Sequence, residues 1–337
     1  MLNGKTILIT GGTGSFGRQI TKTILERFAP QRLIIFSRDE LKQFEMAQKF
    51  SPDEHECLRY FLGDVRDERR LLEAFHDVDI VIHAAAIKQI PAAEYNPFEA
   101  IQTNVLGAQN VIRAAISCGV SRIVALSTDK AAAPCNLYGA TKLCSDKLFI
   151  AGHAMGGVRG LAFAVVRYGN VFGSRGSVIP FFLSHREKNL FPITDERMTR
   201  FSITLAQAVD FVLQRLEHMR GGELFVPKIP SYRILDVARA INPSAEIKII
   251  GIRPGEKLHE CMITADDARN ATEFDDHFVI QPDFEWWCRE SYRKDHGGKP
   301  CAEGFSYGSG TNTEWLTVED IKAMVNEYCK AHGLEGI

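Results

Sequence analysis

The chain has 337 residues, 45% apolar and 24% charged, an ordinary globular composition with room for one large domain and a smaller one. A net charge of −2 supplies no basic face and sets nucleic acid aside as a partner. The eight cysteines include no Cys-x-x-Cys pair, so neither a metal site nor a disulfide framework is expected, and no run reaches the ~18 apolar residues of a membrane span.

Met1–Thr10 carries one early lysine and a short apolar run ending in glycines, which is neither a signal peptide nor an anchor, so a cytoplasmic chain with reduced thiols and no membrane partner is expected. Thr6–Thr10 reads as the first buried strand. It leads into "ILITGGTGSFGRQI", which places Gly11, Gly14 and Gly17 between a strand and a helix at Arg18–Phe28. Glycines at this spacing allow a tight turn and a close backbone approach to pyrophosphate, and the helix start favours an anion. Thr13, Ser15 and Phe16 belong to the same cradle.

The second strand, Leu33–Phe36, ends in "FSRDE" ahead of a helix at Glu40–Phe50. Dinucleotide enzymes of this architecture use an acidic side chain there when the ribose 2′-hydroxyl is free. Ser37, Arg38 and Lys42 suit a 2′-phosphate instead, because a guanidinium binds phosphate oxygens in bidentate fashion; NADP is therefore expected, with Asp39 leaving NAD open. The third strand, Tyr60–Leu62, precedes "GDVRD", where Asp64 and Val65 are placed to frame the adenine or, alternatively, Asp64 caps the helix Glu68–Phe75. After the fourth strand, Ile80–His83, the small residues Ala84 and Ala85 let the backbone run beside the cofactor, whereas His83 reads as a packed core residue. A helix is expected over Phe98–Ser117, then a strand at Ile123–Ser127, a helix at Tyr138–Ala151 and a strand at Leu161–Arg167. Strands without polar alternation, separated by helices, imply a doubly wound parallel α/β sheet whose ligands sit at the carboxyl ends of the strands.

Tyr138 and Lys142 lie one turn apart on a helix. An ammonium beside the phenol and a positive nicotinamide both favour the phenolate, which can then accept an alcohol proton as hydride leaves. The adjacent Asp129 and Lys130 are a second proton-transfer pair. An isolated Asp-Lys pair is ordinarily a solvated surface feature, but here it is flanked by Ser127, Thr128 and Tyr138. Elimination of water needs a base at the carbon next to a carbonyl and an acid at the leaving group, and such a pair supplies both. As base, Lys130 must be neutral, with Lys142 and the nicotinamide expected to lower its proton affinity; as acid, Asp129 must hold a proton in a dry pocket.

Beyond Tyr168 the pattern turns to short elements rich in glycine and proline, implying a smaller substrate lobe partly interleaved with the first; the division expected is 1–170 and 171–337. Tyr232–Ala240 reads as helix, Ile247–Gly251 as strand, Gln281–Thr313 as a long excursion and Leu316–His332 as a last amphipathic helix.

The stretches TGGTGSFG, SRDELKQFEM, GDVRD, AAEYNP, STDKA, NLYGATK, RYGNV, GSRGS, RMTRF, FVPKIPS, IGIRPGEKLHE and GFSY resemble, over nearly the whole chain, the extended short-chain dehydrogenase/reductases. More narrowly they resemble the inverting UDP-N-acetylglucosamine 4,6-dehydratases that begin bacterial pseudaminic acid synthesis. The resemblance implies a Rossmann sheet with a smaller C-terminal substrate-binding lobe, a UDP-sugar substrate and self-association as a homo-oligomer. It implies that Tyr138 and Lys142 serve C4 oxidation, that Thr128 bonds the C4 oxygen, that Lys130 removes the C5 proton and that Asp129 protonates the departing C6 hydroxyl. Hydride then returns to C6 and C5 is reprotonated on its other face. It adds Lys88, Gln102 and Thr103 to the cofactor region, and Lys88, Asn170, Arg175, Gly176, Ser177, Val178, Ile179, Thr194, Arg253 and Glu256 to the substrate. Gln89, Ala100, Gln102 and Ser202 stand where His, Cys, Lys and Trp would be expected, which bears on the C5 reprotonation and the accepted 2-substituent rather than on the Asp-Lys-Tyr set. A retaining dehydratase, an epimerase and a non-catalytic NADP sensor are the alternatives.

Overall fold

The structure, a computed structural model, describes residues 1–156, 160–174, 176–285 and 287–337. Six parallel strands carry the first half: β1 (Thr6–Thr10), β2 (Arg32–Ser37), β3 (Leu58–Leu62), β4 (Ile80–His83), β5 (Arg122–Thr128) and β6 (Ala162–Tyr168). Their spatial order is β3-β2-β1-β4-β5-β6, so the order reverses at β1 and β4 and opens a crevice at their carboxyl ends. All residues of β1 and β4 are buried, as helices on both faces require. Ile7 pairs with Leu33 on one side and with Ile80 on the other, which fixes the register of the central strands.

The sheet does not end at β6. Leu224–Pro227 adds a further parallel strand, and His277–Ile280, Ala271–Glu273 and Lys299–Pro300 extend it antiparallel, so later segments thread back into the first layer. A second apolar core, with Phe182, Phe191, Met198, Val237 and Ile321, lies under the remaining segments. The eight cysteines are free thiols, and among the described residues no helix is long and apolar enough to cross a membrane.

Three local departures from the sequence pattern have physical causes. The long helix expected over Phe98–Ser117 is broken into Pro97–Ile101, a π-helical turn at Gln102–Leu106, and Gly107–Cys118. The π turn coincides with Asn104, whose amide clasps the backbone of Ile87 with bonds of 2.8 and 2.9 Å. The helix expected from Tyr232 begins at Ile234, because Ser231–Arg233 pair with Thr199–Phe201 as a strand. The excursion Gln281–Thr313 is ordered in part, holding a helix at Arg289–His296 and the strand Lys299–Pro300 at the sheet edge.

Two predictions follow from this layer. A Cβ at Gly17 would collide with the carbonyl of Gly12, so Gly17→Ala should lower stability by about 1–3 kcal/mol. An unchanged denaturation midpoint would show that the loop yields freely. The second concerns His83, which is buried at the end of β4, bonded to Thr10 Oγ1 at 2.8 Å and packed on Phe149. Burial, with the Lys142 ammonium adding to it, lowers its pKa from 6.5 to about 3. The unfolded chain therefore takes up this proton first on acidification. Stability should fall as pH drops from about 6.5 toward about 3, at roughly 1.4 kcal/mol per pH unit. His83→Gln should flatten that slope in denaturation measured across the interval.

Candidate functional site

The glycine loop forms the floor of the crevice. Gly14 is the N-cap residue of the helix Ser15–Arg27. Gly11 has φ +65°, and a Cβ there would lie 2.8 Å from the Ala85 nitrogen, so β1 and β4 approach as only glycine permits. A cavity of about 410 Å³ opens over this loop. Gly11, Thr13, Gly14, Ser15, Ser37, Arg38, Lys42, Asp64, Val65, Ala85, Lys88 and Thr103 line it, joined by Arg18, Asp39, Ala86 and Ile87. Gly17 is buried beneath the loop, and Phe16 and Ala84 pack against the core. Gln102 is exposed on the π turn, while the neighbouring Thr103 faces the cavity.

At the far end of this cavity Asp39 caps its helix through the Lys42 nitrogen and pairs with Lys42 Nζ at 2.5 Å. Arg38, 56% exposed, reaches only to Asp64 at 3.6 Å. Asp64 does not cap the following helix, which Asp67 does. Instead it binds Arg66 at 2.7 Å. Burial opposes its charge, but Arg66 outweighs burial and holds the carboxyl below its ordinary range. The Thr13 and Ser37 hydroxyls bond each other at 2.9 Å, so what this end offers a dinucleotide phosphate is the exposed Arg38 guanidinium, held only by a 3.6 Å ion pair, with the Asp39 carboxylate already paired to Lys42. Lys88 borders the same cavity, where desolvation lowers its pKa.

The reactive side chains gather where β5 ends. Thr128 Oγ1 and Lys130 Nζ both donate to Asp129 Oδ1, each at 2.9 Å, and Asp129 is fully buried. The Asn136 side chain accepts from the Gly139 nitrogen at 2.7 Å and thereby starts the helix Leu137–Gly156, which carries Tyr138 and Lys142. Gly139 has no room for a side chain, since a Cβ would strike the Lys130 carbonyl. Burial raises the Tyr138 pKa to about 12; the Lys130 ammonium and a bond from Thr128 oppose that rise. Burial lowers Lys142, against the pull of Asp146. Asp146 is itself fixed by Ser127 Oγ at 2.7 Å and Arg167 Nη2 at 3.1 Å.

One expectation about charge is overturned. Lys130 does not have a lowered proton affinity in the protein alone. Burial acts in that direction, but Asp129 and Glu260 together outweigh it and hold the ammonium well above the ordinary lysine range. Glu260 Oε1 lies 3.2 Å from Lys130 Nζ, and Arg200 Nε lies 3.8 Å from the same oxygen. Sequence reading missed both residues. They sit in the quoted stretches IGIRPGEKLHE and RMTRF, but neither stretch signals a partner far away along the chain.

The remaining lobe closes over this point. Lys257 Nζ donates to the Ala132 carbonyl at 2.6 Å and Asn136 Nδ2 to the Gly255 carbonyl at 2.8 Å, so the RPGEK loop is clamped to the loop that precedes Tyr138. Arg253 is exposed and pairs with Glu256 at 3.6 Å. Thr194 Oγ1 contacts Met198 Sδ, Val178 starts a short helix, and Ile179 is buried in the second core, where its side chain is out of a ligand's reach. Gly176 is exposed with φ +78°, and a Cβ there would meet Gln89 Nε2 at 3.2 Å. Arg175 lies outside the described residues. Ala100 is buried, and Ser202 faces Asn170 across a strand pair. Among the described residues, Asp129 Oδ2, Thr103 Oγ1, Asn170 Oδ1, Ser177 Oγ, Ser202 Oγ, Glu256 Oε2 and Glu260 Oε2 are buried polar atoms without a hydrogen-bond partner. Buried polar groups are nearly always bonded; Asp129, Thr103, Asn170, Ser177 and Glu256 are expected ligand residues that a polar ligand would satisfy, Ser202 and Glu260 are not, and Ser145, Arg167 and Arg215 carry such atoms too.

Known proteins resemble this chain along nearly its whole length. The family model described as polysaccharide biosynthesis protein matches residues 7–282. The UDP-N-acetylglucosamine 4,6-dehydratase (inverting) of Campylobacter jejuni is 53% identical over 333 residues, spanning 97% of this chain and 98% of that protein. The UDP-glucose 4-epimerase of Rickettsia canadensis is 40% identical over 337 residues, 96% of each. Among solved structures, Pen from Bacillus thuringiensis superposes with a TM-score of 0.86 at 34% identity, covering 96% of this chain and 98% of that one. The chain thus belongs to the polysaccharide biosynthesis protein family, within the extended short-chain dehydrogenase/reductases.

Proposed function

We propose that the chain is a UDP-N-acetylglucosamine 4,6-dehydratase that inverts C5, yielding UDP-2-acetamido-2,6-dideoxy-β-L-arabino-hex-4-ulose at the entry to pseudaminic acid synthesis. The observation that carries this reading is the buried Asp129–Lys130 contact at 2.9 Å beside Tyr138. An epimerase moves a hydride out and back at one carbon and needs only the tyrosine. The similarity to the Rickettsia epimerases gives that second reading its weight. A buried acid and base at the end of β5 have no use in it.

Residues 1–170 hold NADP along the cavity described, and the UDP-sugar is held by Asn170 at the end of that region and by the 176–178 segment, Thr194, Arg253 and Glu256 of 171–337, with Lys88 between the two. NADP bound there would supply a reversible hydride acceptor for C4 oxidation and C6 reduction. Tyr138 takes the C4 hydroxyl proton, assisted by Lys142. Thr128 touches both Tyr138 and Asp129, so that proton has a short path to the carboxyl that must protonate the C6 oxygen. Lys130, once neutral, takes the C5 proton acidified by the C4 ketone. Water leaves with the proton that began on the C4 hydroxyl, hydride returns to C6, C5 takes a solvent-derived proton on its other face and the proton held by the base is released to solvent, so the sequence balances as a dehydration. A cytoplasmic homo-oligomer is the expected setting.

Incubation with UDP-N-acetylglucosamine in heavy water should give a 4-keto-6-deoxy product bearing deuterium at an inverted C5, read by NMR. No consumption of substrate, or epimer alone, would sink the proposal. Lys130→Ala should reduce product formation about 10²- to 10⁴-fold. The cofactor choice has its own test. Arg38→Ala should weaken NADP binding by about 1.5–3 kcal/mol, roughly 10- to 150-fold, and leave NAD binding nearly unchanged by titration. Equal weakening of both would place the 2′-phosphate elsewhere.

A further inference from the structure

Glu260 is a buried carboxylate that the steps above leave idle. It is 3% exposed, and it approaches Lys130 from the segment leading into the strand Cys261–Ile263, 130 residues along the chain. Its backbone nitrogen accepts no freedom of movement, being bonded to Ser309 Oγ at 2.9 Å. One of its oxygens contacts Lys130 Nζ at 3.2 Å, and the other is buried without a hydrogen-bond partner among the described residues. The charged and titratable groups around Lys130 are Asp129, Glu260, Arg200, Tyr138 and Tyr232. Two carboxylates therefore compete for one ammonium, with Arg200 near the second at 3.8 Å.

This arrangement poses a problem for catalysis. An ammonium between two carboxylates has no lone pair with which to attack a C–H bond. If Lys130 handed its proton to Asp129 alone, the negative charge of Glu260 would oppose the transfer, and the second carboxylate would be a hindrance. Glu260 Oε1, 3.2 Å from Lys130 Nζ, resolves this as a second acceptor for that proton, on a carboxylate whose other oxygen has no hydrogen-bond partner among the described residues.

We propose that Glu260 is the positioning residue that receives the ammonium proton of Lys130, so that Lys130 meets C5 of the sugar as a neutral amine. An N–H bond on Lys130 Nζ breaks and an O–H bond on Glu260 forms, with no change of oxidation state. The amine then forms a new N–H bond with the C5 proton. Glu260 acts through Lys130, whose Nζ its Oε1 meets at 3.2 Å. Asp129 is thereby left to receive the C4 hydroxyl proton through Thr128 and to spend it on the leaving oxygen. The inference rests on the dehydratase reading above.

The experiment compares wild-type enzyme, Glu260→Gln and Glu260→Asp with UDP-N-acetylglucosamine in heavy water. It follows deuterium entry at C5, KM, nicotinamide absorbance in a single turnover, and the isotope effect of C5-deuterated substrate. Glu260→Gln keeps an oxygen for the ammonium but cannot take its proton. It should leave KM and the C4 oxidation transient within a few-fold, slow C5 exchange at least about 100-fold, and enlarge the C5 isotope effect. If Glu260 merely pins Lys130 as a cation, removing its charge makes Lys130 easier to deprotonate. Exchange in Glu260→Gln that equals or exceeds wild type would therefore overturn the proposal. Glu260→Asp keeps a proton-accepting carboxylate and should recover exchange to within about tenfold of wild type. A folded Glu260→Asp protein with no exchange would overturn it as well, even where the glutamine variant failed to fold. Wild-type enzyme that consumes no UDP-N-acetylglucosamine would remove the dehydratase reading and this inference with it. Normal wild-type turnover with an indifferent Glu260→Gln removes this inference alone.

Discussion

Two buried carboxylates share one ammonium at the end of β5, and the placement of the second lobe depends on that contact. Removing charges from water is costly, and the attraction between them offsets the cost only when geometry is good and remaining polar atoms are bonded. One oxygen of each carboxylate meets this condition, Asp129 Oδ1 through Thr128 and Lys130 and Glu260 Oε1 through Lys130 and Arg200, while the other oxygen of each is buried without a partner. Each carboxylate comes from a different part of the chain. The cluster therefore works only if the segment around 255–260 lies against the loop 130–136, and Lys257 and Asn136 hold it there by bonding carbonyls across the gap. A loop that looks like an exposed turn in sequence becomes the lid on the reactive pair.

The same burial sets the resting proton states. Tyr138 is a phenol at neutral pH, since burial raises its pKa to about 12. Lys130 is an ammonium because its two carboxylates outweigh desolvation. Neither is the form the proposed chemistry uses. A positive ring near Tyr138 and a sugar filling the space beside Asp129 change the local field and the solvation, the two quantities that move these equilibria. The free protein thus holds Tyr138 and Lys130 in their protonated forms, and in the proposed reaction ligand binding is what changes them. That arrangement suits a pathway with a reactive ketone intermediate, where premature proton transfer would be wasteful.

Much of this was legible in sequence because the signals are local. The glycine loop, the strand ends and the Tyr138–Lys142 spacing each lie within one strand–turn–helix unit, and short-range patterns report such units well. The buried state of His83 was legible too, from its place at the end of an apolar strand. What sequence could not carry was contact between distant segments. Glu260 looks like one more charge in IGIRPGEKLHE, so the expected sign of the Lys130 shift was wrong: the reasoning counted Lys142 and the nicotinamide but had no carboxylate across the lobe. The π turn at Gln102–Leu106 escaped for the same reason. Its position coincides with Asn104's grip on Ile87, a pairing that helical periodicity does not encode.

The adjacency of Asp129 and Lys130 also explains why this chemistry needs a closed lobe. In water a free lysine and a free aspartic acid are separated by about 6.5 pH units, so passing the proton from ammonium to carboxylate costs about 9 kcal/mol. A solvent-exposed pair would almost never present an amine and an acid together. In the free protein Asp129 and Glu260 hold the Lys130 ammonium above the ordinary lysine range against the pull of burial, so the amine has to be freed by what binds beneath the lid. A second carboxylate behind the lysine, in the role proposed for Glu260, gives that proton a destination that leaves Asp129 free for the leaving group. On this view the distinction between moving a hydride out and back and removing water lies less in Tyr138 and Lys142 than in whether the segment carrying Glu260 seals the end of β5.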